Sequence, residues 1–105
     1  MRRLVFGRAA RSDLTVIAHY IARRSGSPEV ASSFVASLRQ QCLHLAALPG
    51  QLGNPRSDLQ PGLRSFAFGN YLILFHYEPK AFRVARILEG HRDMPRHMGV
   101  ALDPI

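Results

Sequence analysis

The sequence predicts an α+β fold of two layers, a helical hairpin packed on an antiparallel sheet in the order β-α-α-β-β-β. Three observations predict it. Apolar residues recur with a helical period of about 3.6 between residues 14 and 48. Past residue 62 the period changes to two, in segments rich in aromatic and aliphatic side chains. A stretch of proline and glycine with no period separates the two regimes. With 105 residues the chain has room for one domain and one core. That domain is expected over residues 1–95, with 96–105 as a flexible or partner-ordered tail.

Leu4-Val5-Phe6 suits a short strand, expected beside the last strand or at a sheet edge. Leu14, Ile17, Ala18 and Ile21 then form one buried helical stripe. The helix starts either at Arg8–Ala10 or after Ser12. Arg23-Arg24 closes it, where cations complement the dipole, and Ser25-Gly26 ends it. Ser27-Pro28-Glu29 opens a second helix with a cap, a proline at the first position and an acid in the first turn. Its stripe runs through Ala31, Phe34, Val35, Leu38, Cys42, Leu45 and Leu48, and Pro49-Gly50 stops it. Residues 49–62 read as a surface connection. Leu63–Phe68, Tyr71–Tyr77 and Phe82–Leu88 read as three antiparallel strands, joined by Gly69-Asn70 and by Glu78-Pro79-Lys80-Ala81.

The charge narrows the class of partner. Fourteen basic residues against seven acidic give +7, and thirteen of the fourteen are arginine. Residues 1–52 carry seven basic and two acidic side chains (+5), and residues 53–105 carry seven and five (+2). Such a surface suits an anionic partner, nucleic acid or an acidic protein segment, and charge alone does not choose between them. A single cysteine excludes an internal disulfide and fits a reducing cytosol. No apolar run is long enough to span a bilayer, and the basic start with Leu4-Val5-Phe6 is too short for a signal peptide.

Few residues suggest catalysis. There is no carboxylate pair and no glycine-rich phosphate cradle. Glu89, His91 and Asp93 alternate past the last strand at a spacing that suits metal ligands, but a charged strand exit, with Asp93 answering Arg92 or Arg86, is the simpler reading; no metal or cofactor is assigned. Cys42 lies on the apolar stripe with no cation beside it, a core residue. His19 and His44 fall on helix surfaces. His76 faces away from Phe75 and Tyr77 in the central strand, where a hydrogen-bonded sheet histidine is expected. His91, Arg92, Arg64 and Arg86 could gather around one cleft. Such a set handles a phosphodiester, with cations stabilising charge and histidine moving the proton; equally, it forms a rim for an anionic protein.

Pro61-Gly62-Leu63-Arg64-Ser65, then Gly69-Asn70-Tyr71-Leu72-Ile73, then Arg86-Ile87-Leu88-Glu89-Gly90-His91-Arg92-Asp93 resemble the ParE branch of the RelE/ParE toxin superfamily. Asp13-Leu14, Ile17, Tyr20-Ile21-Ala22 and the Phe34, Leu38, Leu45, Pro49 spacing resemble its helices, so the likeness covers residues 3–95. It implies the toxin of a type II toxin–antitoxin pair, which binds DNA gyrase and traps the cleavage complex without catalysis. It also implies a ParD-like antitoxin with an acidic, wrapping C-terminal segment, and operator DNA reached only through that antitoxin. On this view Arg64, Tyr71, Arg86, Arg92 and Asp93 are the target-binding candidates, and Arg11, Arg23, Arg24 and Arg39 the antitoxin-binding candidates. The sister RelE branch cleaves ribosome-bound mRNA. Here Tyr71 stands where RelE carries an essential arginine, and the lysines before Leu63-Arg64 and the C-terminal tyrosine are missing. A nuclease would have to use His91, Arg64 and Arg92. The third alternative is an inactive homologue that serves only as antitoxin ligand and co-repressor.

Overall fold

In the computed structural model, which describes residues 2–89, two helices lie on one face of a five-stranded sheet. The elements are β1 (Arg3–Phe6), α1 (Arg8–Ser25), α2 (Pro28–Ala47), β2 (Asn54–Pro55), β3 (Arg64–Phe68), β4 (Tyr71–Tyr77) and β5 (Ala81–Glu89). The strand order is β1-β5-β4-β3-β2. β1 runs parallel to β5, and the other neighbours are antiparallel. The sheet is therefore mixed rather than purely antiparallel, because the helical hairpin returns the chain to the side from which β1 left. No described helix is long and apolar enough to cross a membrane.

Helix α1 starts at Arg8, with Gly7 as an N-cap lacking any side-chain hydrogen bond, and ends at Gly26 in the left-handed region (φ 69°). Ser12 is inside the helix and caps nothing. Helix α2 opens on the expected capping serine: the Val30 N–H donates to Ser27 Oγ at 3.2 Å. Leu38, Cys42 and Leu45 are fully buried beneath it. They meet Ile73, Phe75, Phe82, Val84 and Ile87 of the sheet. Phe75 stacks on Phe82 at 4.6 Å, and Tyr77 meets both rings edge-on. At the other end Phe34 packs on Phe68 and Tyr71.

A β-bulge decides which face β5 shows. The register moves from Phe75↔Val84 to Leu74↔Arg86, leaving Ala85 unmatched. Strict alternation would place Val84 and Ile87, three residues apart, on opposite faces. With the bulge both enter the helix-side core, and Ala85 joins Leu63, Leu72 and Leu74 on the second face.

That second face is covered by the segment expected to be a plain surface connection. Residues 56–63 fold into a compact turn, with Arg56 N–H donating to Leu63 O at 2.7 Å and Leu63 N–H to Gln60 O at 3.1 Å. Leu59 packs on the small second core. His76, buried as expected of a sheet histidine, lies 2.8 Å by Nε2 from Gln60 Oε1 and ties the turn to β4. The same segment contributes β2, two residues too brief to leave a periodic signal.

Candidate functional site

The end of β5 is held by an ion pair that spans the sheet and α1. β1 stops pairing at Phe6↔Val84, and Gly7 N–H donates to Val84 O at 2.9 Å as the chain turns into α1. Asp13 of α1 takes over the β5 edge from there. Its Oδ2 accepts the Ile87 N–H at 2.8 Å, and its two oxygens receive Arg86 Nε and Nη2 at 2.8 and 3.0 Å. The side chains are only 17% and 14% exposed for Arg86 and Asp13. This bidentate contact fills an open strand edge with a carboxylate. Arg86 is thus answered by Asp13, which the sequence reading had placed only within a helix signature.

Beside the clamp lies a groove of about 250 Å³, walled by α1 and the adjoining ends of β4 and β5. Asp13, Val16 and Tyr20 line its α1 flank at helical spacing, and Arg24 continues the same spacing beyond it. Val16 is 67% exposed and Tyr20 42%. The Arg24 guanidinium lies 5.7 Å from the Tyr20 ring centroid. The opposite wall includes buried Tyr71 and, at the mouth, its cross-strand partner Glu89. Burial chiefly, with smaller contributions from Glu89 and Tyr20, pushes the Tyr71 phenol above its ordinary pKa and favours its neutral form.

Arg64 is elsewhere. Its Nε and Nη2 donate to the carbonyls of Leu52 and Gly53 at 2.8 and 2.9 Å, fastening the loop that follows α2. Gly53 (φ 86°) has no room for a side chain: a Cβ would stand 2.6 Å from Ser65 O and 2.9 Å from Phe75 Cζ. Arg64 and Arg86 pair opposite Phe75 and Leu74 on β4 from its two sides. β4 separates them, and each guanidinium turns outward, to the loop or to α1. The expected gathering of these two arginines in one cleft does not occur. His91, Arg92 and Asp93, together with the 96–105 tail, lie outside the described residues.

The remaining arginines occupy several surfaces. Arg11 and Arg23 are exposed on α1, and Arg11 lies half a turn out of phase with Tyr20, away from the groove. Arg39 is exposed on α2, with its guanidinium 5.7 Å from the Phe6 ring centroid. It also faces the core cysteine. Burial raises the Cys42 thiol from 9.0 to about 12, and the Arg39 charge opposes this only weakly. Contrary to the expectation of no cation beside Cys42, Arg39 stands three residues before it, one helical turn away and a neighbour on α2.

The groove was missed from sequence, although one signal existed. Val16 and Tyr20 are apolar, four residues apart and off the buried stripe of Leu14, Ile17, Ala18 and Ile21, so α1 has a second apolar flank.

Comparison with known proteins places this architecture. A family model described as the ParE toxin of the type II toxin–antitoxin system, parDE, matches residues 4–94. The chain is 29% identical over 99 residues to Toxin ParE3 of Caulobacter vibrioides, covering 94% of this chain and 97% of that one. Among solved structures, one titled as the chromosomal ParDE TA system from P. aeruginosa superposes with a TM-score of 0.72 at 25% identity, over 85% of this chain and 96% of the other. With a match that runs from β1 through β5 and both helices, the chain belongs to the ParE toxin family of type II toxin–antitoxin systems.

Proposed function

We propose that this protein acts in the cytoplasm as a toxin that binds DNA gyrase and traps its cleavage complex, without catalysing a reaction itself. A ParD-like antitoxin neutralises it by laying an acidic segment over Arg11, Arg23, Arg24 and Arg39. That segment gains steering and directional ion pairs on an arginine-rich surface. Arg64, Tyr71, Arg86, Arg92 and Asp93 serve the toxic activity, with Arg92 making a direct contact and Arg64, Arg86 and Tyr71 fixing the loop and strand ends to which they belong.

The observation that carries the reading is the engagement of Arg64. A nuclease in this chain would have to turn Arg64 to the scissile phosphate, yet its Nε and Nη2 are engaged by the Leu52 and Gly53 carbonyls. A structural Arg64 fits a toxin that acts by binding. The test is a gyrase supercoiling assay with antitoxin-free protein, read for linear DNA, beside a ribosome-programmed mRNA digestion. Inhibition with accumulated linear DNA and intact mRNA is expected. Cleaved mRNA with unaffected gyrase would overturn the proposal and return His91, Arg64 and Arg92 to an active site.

A further inference from the structure

The outer face of α1 carries a row of polar side chains that neither the fold nor the groove uses. Arg8, Arg11, Ser12, Thr15, His19 and Arg23 recur at helical spacing, and all are exposed. The row extends about 22 Å from Arg8 to Arg23 at about 1.5 Å per residue. Thr15 turns its hydroxyl back to the Arg11 carbonyl at 3.3 Å, which keeps the middle of the row low. The acid of this helix, Asp13, points away from the row into its contact with Arg86. The acids Asp58 and Glu78 are likewise taken up by Arg56 and Arg83. Among the described residues no carboxylate forms an ion pair with Arg8, Arg11 or Arg23.

Its charges are also placed against local stability. Arg8 and Arg11 stand at the N-terminal end of α1, where the dipole is positive, with no acid in the first turn and no side-chain cap. Cations there weaken the helix, so their position is accounted for by an outside anion. The row contains no apolar anchor; Val16 and Tyr20 lie on the flank instead. A nucleic-acid backbone is held by cations and hydrogen-bond donors and needs no such anchor. A convex helix face fits the wide major groove of B-form DNA and not the deep, narrow groove of A-form RNA.

We propose that the outer face of α1 binds duplex DNA along its phosphate backbone, without reading sequence. Arg8, Arg11 and Arg23 offer up to three phosphate contacts. This contact goes beyond the gyrase reading and is measured without gyrase. Because Arg11 and Arg23 belong to both surfaces, an antitoxin seated on them excludes the DNA.

The experiment is fluorescence anisotropy of the antitoxin-free toxin with a labelled random-sequence duplex, titrated between about 50 and about 200 mM salt. Arg8→Gln/Arg23→Gln is compared with Arg3→Gln/Lys80→Gln, exposed changes of equal charge outside the row, with circular dichroism confirming that both fold. The row variant is expected to weaken binding about tenfold or more and to lower the salt slope by about 1.8, about 0.9 per lost phosphate contact. The other double variant keeps the wild-type slope. Absence of binding at the lowest salt overturns the proposal, as does equal loss in the two doubles. Duplex RNA bound as tightly as DNA overturns it equally.

Discussion

Replacing Asp13 by alanine tests whether the clamp on β5 holds the molecule together. The substitution removes two charge-assisted contacts to Arg86, at 2.8 and 3.0 Å, and the acceptor for the Ile87 N–H. It takes the Asp13 charge away from a guanidinium only 17% exposed. Breaking a buried pair from one side costs about 3–5 kcal/mol. Residual exposure of both partners places this pair at the lower end. The orphaned N–H of Ile87, itself 2% exposed, costs about 1–3 kcal/mol in isolation. The two losses share one carboxylate and do not add, so about 3–4 kcal/mol is expected, a large part of the roughly 5–15 kcal/mol that holds a domain of this size. Urea unfolding followed by far-UV circular dichroism at neutral pH measures it. The midpoint should fall at an unchanged m-value. Asp13→Asn should fall between wild type and alanine, because an amide oxygen still accepts from Ile87. Adding Arg86→Met to Asp13→Ala should recover part of the loss by removing a half-buried charge whose Asp13 contact is gone. An Asp13→Ala variant within about 1 kcal/mol of wild type would refute the reasoning and reduce the clamp to a surface contact.

Three further outcomes are expected. Because the folded Cys42 thiol is raised to about 12 from its ordinary 9.0, stability is insensitive to this group below pH 9.0 and falls as the pH rises from there toward 12; the same burial makes the thiol unreactive toward an alkylating reagent until urea unfolds the chain. Gly53→Ala should cost at least about 2 kcal/mol in urea unfolding, since it forces a left-handed backbone and a Cβ against the Ser65 carbonyl. Arg92→Glu should relieve growth inhibition on expression without antitoxin while leaving the circular dichroism spectrum unchanged; full toxicity in the folded variant would remove Arg92 from the target contact.

The fold was legible because its strongest determinants are local and periodic. The stripes of α1 and α2, the Ser27-Pro28-Glu29 start and the Gly69-Asn70 turn each act over a few residues, and each element forms where those residues place it. Three features escaped because they are settled by distant partners. The parallel placement of β1 depends on where the hairpin returns the chain. β2 exists only because Arg64 and Ser65 offer an edge to Asn54 and Pro55. The bulge at Ala85 is a negotiation between two cores: Val84 and Ile87 are both large and apolar, and one extra residue lets both face the helices while Ala85 fills the tighter opposite side.

The site was legible in its ingredients and not in its connections. Sequence gives thirteen arginines of identical chemistry, and only the partners separate their roles. Arg56, Arg83 and Arg86 meet carboxylates, and Arg64 meets two carbonyls. Arg2 donates to the Leu48 carbonyl and covers the Tyr77 ring. These five arginines fasten loops and strand ends, where a guanidinium supplies several donors to a crowded place. Those on the helices divide again, Arg24 by the groove and Arg8, Arg11 and Arg23 on the outer face. A motif match at Arg64 or Arg86 therefore marks a position that the family's surface requires, which differs from a position that touches a target. The two meanings part experimentally: loss of a fastening arginine moves the unfolding midpoint together with activity, whereas loss of a contact arginine moves activity alone.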